Sequence, residues 1–375
     1  MRREASPADF DVVVLGGGPA GCATALFLAR AGISRVLLVE STRHRDFRIG
    51  ESVPPDIRIL LDELGLWDEF LEENHETCLG SCSSWGADAL GYNDFLFNPL
   101  GNGWHLDRAR FDAFLLRKAT ERGAETYRGK CFGIGERLAQ GGFRLRLVGE
   151  DGQTRIAAAR FVVDATGMRS CFARSMGARR DFLDQLLCVV AFFELPDPAC
   201  FSRLTMLEAV EYGWWYAAKL PNARLAVVVA SDPQFIKQAA LHGRDGWLGH
   251  LARTNHIAGA TRGARFIEDS QVTCTAPSFL LDTVVGDRWL AVGDAASTFD
   301  PISSQEIHKA LADGRLAGQA AADSLHAGKD RLLGYQSAIS SRFQQYRHSR
   351  SYFYGLEERW PASPFWLKRR SRAAL

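Results

Sequence analysis

Six residues near the amino terminus, Gly16-Gly17-Gly18-Pro19-Ala20-Gly21, have the spacing G-x-G-x-x-G. That spacing suits a diphosphate. The first glycine permits a tight turn, the second lets backbone approach the phosphates, and the third lets a helix pack closely on a strand. Glu40 stands where an acid accepts the two hydroxyls of a ribose, which disfavours a 2′-phosphate and places FAD or NAD ahead of NADP. Two further acid–glycine turns follow, Asp164-Ala165-Thr166-Gly167 and Gly293-Asp294. His308, and His105 beside Trp104, are the candidate bases, and Glu51 is a candidate for orienting a cofactor or substrate.

The surrounding pattern supplies the elements that would position these residues. Residues 11–15 read DVVVL, a β-branched run suited to a strand buried on both faces. A helical pattern follows the glycines and ends at Gly32, and a second strand at 35–39 leads into Glu40. The helix amino terminus would face the phosphates with its positive dipole end. Residues 161–164 and 290–292 read as further strands, and a helix runs from Ile307 to about 325. Segments such as CVVAFFEL, YGWWYAAKLP and ARLAVVVAS alternate and read as antiparallel strands. The expected organisation is α/β. A discontinuous nucleotide-binding domain takes residues 1–75, 101–180 and 275–325, and a mostly antiparallel substrate sheet takes 76–100 and 181–274. A helical segment, 326–375, ends in an aromatic and basic tail.

Composition narrows the class. The chain has 375 residues, 46% hydrophobic and 24% charged, with a formal net charge of +1. No basic excess points to nucleic acid. The eight cysteines are scattered, and the Cys78/Cys82 pair lacks a second pair or a spaced histidine, so no metal site is expected. Residues 12–29 are uncharged, but Gly16-Gly17-Gly18-Pro19 would break a membrane-spanning helix. No signal-peptide core is visible, and a cytoplasmic protein without stable membrane insertion is expected.

Together the three fingerprints resemble those of the FAD-dependent aromatic hydroxylase superfamily, whose FAD domain is Rossmann-like and similar to that of glutathione reductase. Arg48-Ile49-Gly50-Glu51-Ser52-Val53-Pro54-Pro55 resembles the GES-x-P segment of its tryptophan-halogenase-like branch, and Leu106-Asp107-Arg108-Ala109-Arg110-Phe111-Asp112 its LDR-x-x-FD helix start. Asp300-Pro301-Ile302-Ser303-Ser304-Gln305 and the stretch from Arg359 to Trp366 are similar to flavoproteins that mature tryptophylquinone cofactors, as in lysine ε-oxidase and quinohemoprotein amine dehydrogenase. The resemblance implies FAD held by Gly16, Gly18, Pro19, Ala20, Gly21, Glu40, Arg48, Arg108, Asp164, Gly167, Gly293, Asp294, Pro301, Gln305, Glu306 and Ile307. It implies NAD(P)H or a separate reductase as electron donor, with O2 as co-substrate. A flavin C4a-hydroperoxide would hydroxylate an aromatic ring, expected to be a tryptophan side chain in a partner polypeptide. Pro301, His308 and Glu51 are the catalytic candidates, and Trp214, Tyr216 and His105 the substrate-binding ones.

Other outcomes share the fold. A free aromatic or natural-product intermediate is the alternative substrate, and an isoprenoid reductase or a non-enzymatic flavin-binding protein are further readings. Halogenases of the branch deliver halogen from a lysine in the first flavin module, yet residues 1–117 contain no lysine. Their W-x-W-x-I-P signature is also broken, with Gly213-Trp214-Trp215-Tyr216 as the nearest match. One departure concerns the flavin itself. Glu306 stands where the family has glycine, and an ionised carboxylate there would oppose the negative charge of reduced flavin.

Overall fold

The computed structural model describes residues 8–41, 50–139, 141–327 and 330–371. Arg48 lies outside them. Strand Phe10–Leu15 sits between Val36–Glu40 and Thr154–Asp164, parallel to both. Thr154–Asp164 in turn pairs in parallel with Trp289–Ala291. Val12, Val13 and Val14 are fully buried, as a strand covered on both faces requires. Among the described residues, seven strands complete this sheet, with Glu125–Arg137, Phe143–Gly149 and Val285–Gly286 as the others. Helices Pro19–Arg30 and Glu306–Ala327 pack on one another and bury their apolar residues in the same core as this sheet.

A second sheet forms around the long strand Arg180–Glu194, which pairs antiparallel with Arg224–Ser231 and Val272–Leu281. The strand Gly213–Leu220 follows beyond Arg224–Ser231, and its residues alternate between two cores. Trp214 and Ala218 pack on one side and Trp215 and Ala217 on the other. The sheet is antiparallel except where Leu204–Val210 runs parallel to Gly80–Ser84. Its edge strand, Gly91–Asp94, is exposed along its length. Residues 272–281 and 297–298 belong to this second sheet. Ser52–Val53, Gly103–His105 and Glu76–Cys78 form a small third sheet.

The carboxy-terminal segment departs from the expected basic tail. Helices Asp330–Leu356 and Pro364–Ser371 fold back onto the second sheet, where Trp366, Phe365 and Tyr354 are buried. Arg369 is also buried, against Asp184 and Asp232. Aromatic bodies that cover the sheet and buried carboxylates that need a cation account for the composition of this stretch. No helix among the described residues is long and apolar enough to cross a membrane.

Candidate active site

The glycine motif builds a cradle at the end of the first strand. Gly16 has φ +118°, and a Cβ there would lie 2.1 Å from the Ala165 carbonyl oxygen. A Cβ on Gly21 would lie 1.9 Å from the Gly16 oxygen, so the helix sits against the turn as tightly as backbone allows. At Gly18, by contrast, a Cβ would meet nothing within 4 Å. That open space faces the amino terminus of Pro19–Arg30, whose amides receive no side-chain cap. The Gly17 amide donates to Glu40 Oε2 at 2.7 Å. A cavity of about 530 Å³ opens here, walled by Gly16, Gly18, Glu40, Thr166, Gly167 and Arg169. Uncapped amides, an open glycine and an acid at the far end fit the adenosine diphosphate part of FAD.

A central cavity of about 290 Å³ lies next to it, with Met168 in its wall directly after Gly167. A dinucleotide held on the glycine turn would find Asp294 in the wall of this second cavity. The cavity brings Glu51, Arg108, Asp294, Pro301 and Glu306 together with Trp214 and Tyr216 of the second sheet. Arg108 Nη1 donates to the Gly50 carbonyl at 2.9 Å and Nη2 to Asp112 at 3.4 Å. Lys309 Nζ donates to Asp294 Oδ1 at 3.3 Å and to the Ser297 carbonyl at 2.7 Å. Burial pushes the Glu51 carboxyl up, against the Tyr216 hydrogen bond that favours its charged form. Glu51 Oε2 has no hydrogen-bond partner. Burial, followed by the nearby Asp294 charge, raises Glu306 to about 7.

A third cavity, of about 350 Å³, shares the walls Ser52 and Ser304 with the central one. It carries His308, Gln305, Asp56, Asn93 and Phe95. His308 Nε2 lies 3.5 Å from Asp56 Oδ2. Burial holds the imidazole below its usual pKa despite that carboxylate, so it is neutral near pH 7 and able to accept a proton.

Three expected site residues take other places. His105 is fully buried, with Nε2 2.8 Å from Thr205 Oγ1, and is not part of any of the three cavity walls. Its strand is the middle member of the small sheet, which turns the ring inward. Asp164 is buried and accepts from the Thr166 amide and hydroxyl and from the Ala173 amide, so it shapes the turn that carries Thr166 and Gly167. Ile307 is buried in the core beneath the first sheet, because the second residue of that helix points inward. Pro19, Ala20, Gly21 and Gly293 form the frame behind the walls, where a Cβ on Gly293 would lie 2.6 Å from that of Ala20.

Sequence reasoning missed a buried network behind Pro301. Tyr354 OH donates to Asp300 Oδ2 at 2.8 Å, Trp214 Nε1 donates to Tyr354 OH at 3.1 Å, and Arg350 bridges Asp300 and Asp184. The carboxy-terminal helices thereby hold two walls of the central cavity. The signal in the sequence was Asp300 itself, an acid between Phe299 and Pro301.

The sequence profile of tryptophan halogenase matches residues 11–95 and 89–374. The chain belongs to the tryptophan halogenase family. It is therefore a flavin-dependent oxidoreductase, and the family implies FAD. LodB of Marinomonas mediterranea, described as an FAD-dependent oxidoreductase, is 32% identical over 98% of both chains. The solved structure of CmlS, a flavin-dependent halogenase, superposes with a TM-score of 0.85 at 25% identity, covering 96% of this chain and 67% of that one. That of QhpG, described as a peptidyl tryptophan dihydroxylase essential for tryptophylquinone cofactor biogenesis, gives 0.75 at 24% identity, covering 97% and 79%. Within this halogenase-family frame one feature stands out. Among the described residues, no lysine lines the central or the third cavity.

Proposed function

We propose that this protein is an FAD-dependent monooxygenase that hydroxylates an aromatic ring, a tryptophan side chain of a partner polypeptide. The absence of a cavity-lining lysine carries the choice of hydroxylation over halogenation, since halogen transfer in this family runs through one. The likeness to LodB along nearly the whole chain supports an FAD-dependent oxidoreductase.

FAD would lie with its adenosine on Glu40, its diphosphate on the amides after Gly18, and its ring system in the central cavity between Pro301 and Trp214. Bound there, it supplies the oxygen-activating chemistry that protein side chains lack. The apolar wall of Trp214, Val228 and Phe299 keeps water out of that cavity. The target ring would occupy the third cavity, within reach of the shared Ser304 wall. His308 Nε2 takes the ring proton there, and Asp56 stabilises the imidazolium that results. Electrons come from NAD(P)H or a separate reductase.

A polypeptide substrate is favoured by the mouth of the third cavity. The exposed edge strand Gly91–Asp94 contributes Asn93 to its wall, and Tyr92, Leu96 and Phe97 stand out beside it. An unpaired strand edge with apolar side chains binds an extended segment by strand addition. The test is incubation with FAD, reductant, 18O2 and bromide, offering free tryptophan and a tryptophan-bearing polypeptide. Incorporation of 18O into the polypeptide is expected. Brominated product would overturn the reading in favour of a halogenase, and oxygenation of free tryptophan alone would overturn the polypeptide substrate.

A further inference from the structure

Glu306 opens the helix Glu306–Ala327 and lines the central cavity. Its surroundings come from five places in the chain. Arg108 faces it from helix Arg108–Glu121, Glu51 from the segment before strand Ser52–Val53, and Asp294 from the turn after strand Trp289–Ala291. Lys309 faces it from the next turn of its own helix, and Cys188 from strand Arg180–Glu194. Glu306 Oε2 and Arg108 Nη1 both come 3.0 Å from where a Gly50 side chain would be. Lys309 is drawn to Asp294 and the Ser297 carbonyl instead. Three carboxyl groups, those of Glu51, Asp294 and Glu306, thus share with Arg108 the wall of a space of about 290 Å³. Like charges in one buried space disfavour each other's ionised form, so a further negative charge entering the cavity favours protonation of a carboxylate there.

We infer that Glu306 is the proton-linked tuning residue of the flavin cavity: its carboxylate takes up a proton when the bound FAD is reduced. This rests on the proposed placement of the FAD ring system in the central cavity. Reduction to the anionic hydroquinone consumes two electrons and one proton. The Glu306 carboxylate accepts a second proton from solvent and becomes the neutral acid, so the net charge of the cavity is unchanged. A neutral carboxyl also donates a hydrogen bond, which a carboxylate cannot.

The experiment measures the midpoint potential of bound FAD between pH 6 and 9 for the wild type, Glu306→Gln and Glu51→Gln. Above the Glu306 pKa of about 7, the wild type takes up two protons per two electrons and Glu306→Gln takes up one. The difference is a tenfold change in the reduction equilibrium per pH unit, about 30 mV for a two-electron couple. Glu51→Gln keeps the wild-type slope. Parallel plots for the wild type and Glu306→Gln would overturn the inference, as would loss of the extra proton in Glu51→Gln alone. If Glu306→Gln does not fold, Glu306→Gly serves the same comparison. A wild-type protein that takes up no FAD would overturn the proposed function together with the inference, whereas parallel plots leave that function standing.

Discussion

Replacing Arg350 by methionine removes the cation that joins Asp184 to Asp300, and the structure sets how much this should cost. All three side chains are almost wholly buried. Deleting one partner of a buried ion pair typically costs about 3–5 kcal/mol, because a carboxylate is left uncompensated. Compensation here is partial. Asp184 keeps Arg369 Nε at 3.0 Å, and Asp300 keeps Tyr354 OH at 2.8 Å and the Ile302 amide at 3.1 Å. The lower end, about 3 kcal/mol, is therefore expected. An unfolding entropy of about 2.1 cal/mol/K per residue gives roughly 0.8 kcal/mol/K for 375 residues, so Tm should fall by about 4 °C. Calorimetry of the FAD-free protein measures this directly. The variant should also bind FAD more weakly, because Asp300 precedes Pro301 and fixes the wall of the central cavity. A Tm within about 1 °C of the wild type would refute the reasoning, since it would mean that neither acid depends on Arg350.

Four further outcomes are expected. Gly18→Val should abolish FAD occupancy, read as the ratio of absorbance at the flavin band to that of protein, while leaving the Tm of the FAD-free protein unchanged. The added side chain enters open space and clashes only with a ligand. His308→Gln should lower turnover by about 10²-fold or more while FAD binding is retained. In the wild type the acid limb of the pH–rate profile should fall below about pH 6.5, because burial lowers the His308 pKa and the base is lost only as pH drops through that value. Asp56→Asn removes a charge that favours the imidazolium, so it should move this limb to still lower pH and slow the reaction.

The nucleotide half of the site was legible because its determinants are local. A tight turn, an uncapped helix start and an acid after the second strand are each read from neighbouring residues, and the structure joins them through the Gly17–Glu40 hydrogen bond. The alternation in Gly213–Leu220 likewise predicts that Trp214 and Tyr216 share a face, and both line the central cavity. His105 was misread for the opposite reason. A histidine in a glycine-rich stretch looks accessible until a distant strand covers it, and its partner Thr205 lies 100 residues away. For Asp164 the sequence left its partners open, because an acid in a nucleotide turn can hold either ligand or backbone; the structure shows it holding the Thr166 and Ala173 amides.

The charged residues of the last helix show the limit most clearly. Arg369 sits in a run of basic residues that reads as a solvated tail, yet it is buried against Asp184 and Asp232. Nothing near it in sequence is acidic. Its environment is made by one strand of the second sheet and by the residue that follows another, so its burial follows from topology and not from composition. The same topology gives the carboxy-terminal helices a part in building the central cavity that no motif announces. They anchor Asp300 through Arg350 and Tyr354, and Trp214 through Tyr354. A substitution more than 130 residues from Trp214 in sequence can therefore reshape both sides of one cavity, because a rigid buried network transmits displacement where a solvated surface would absorb it.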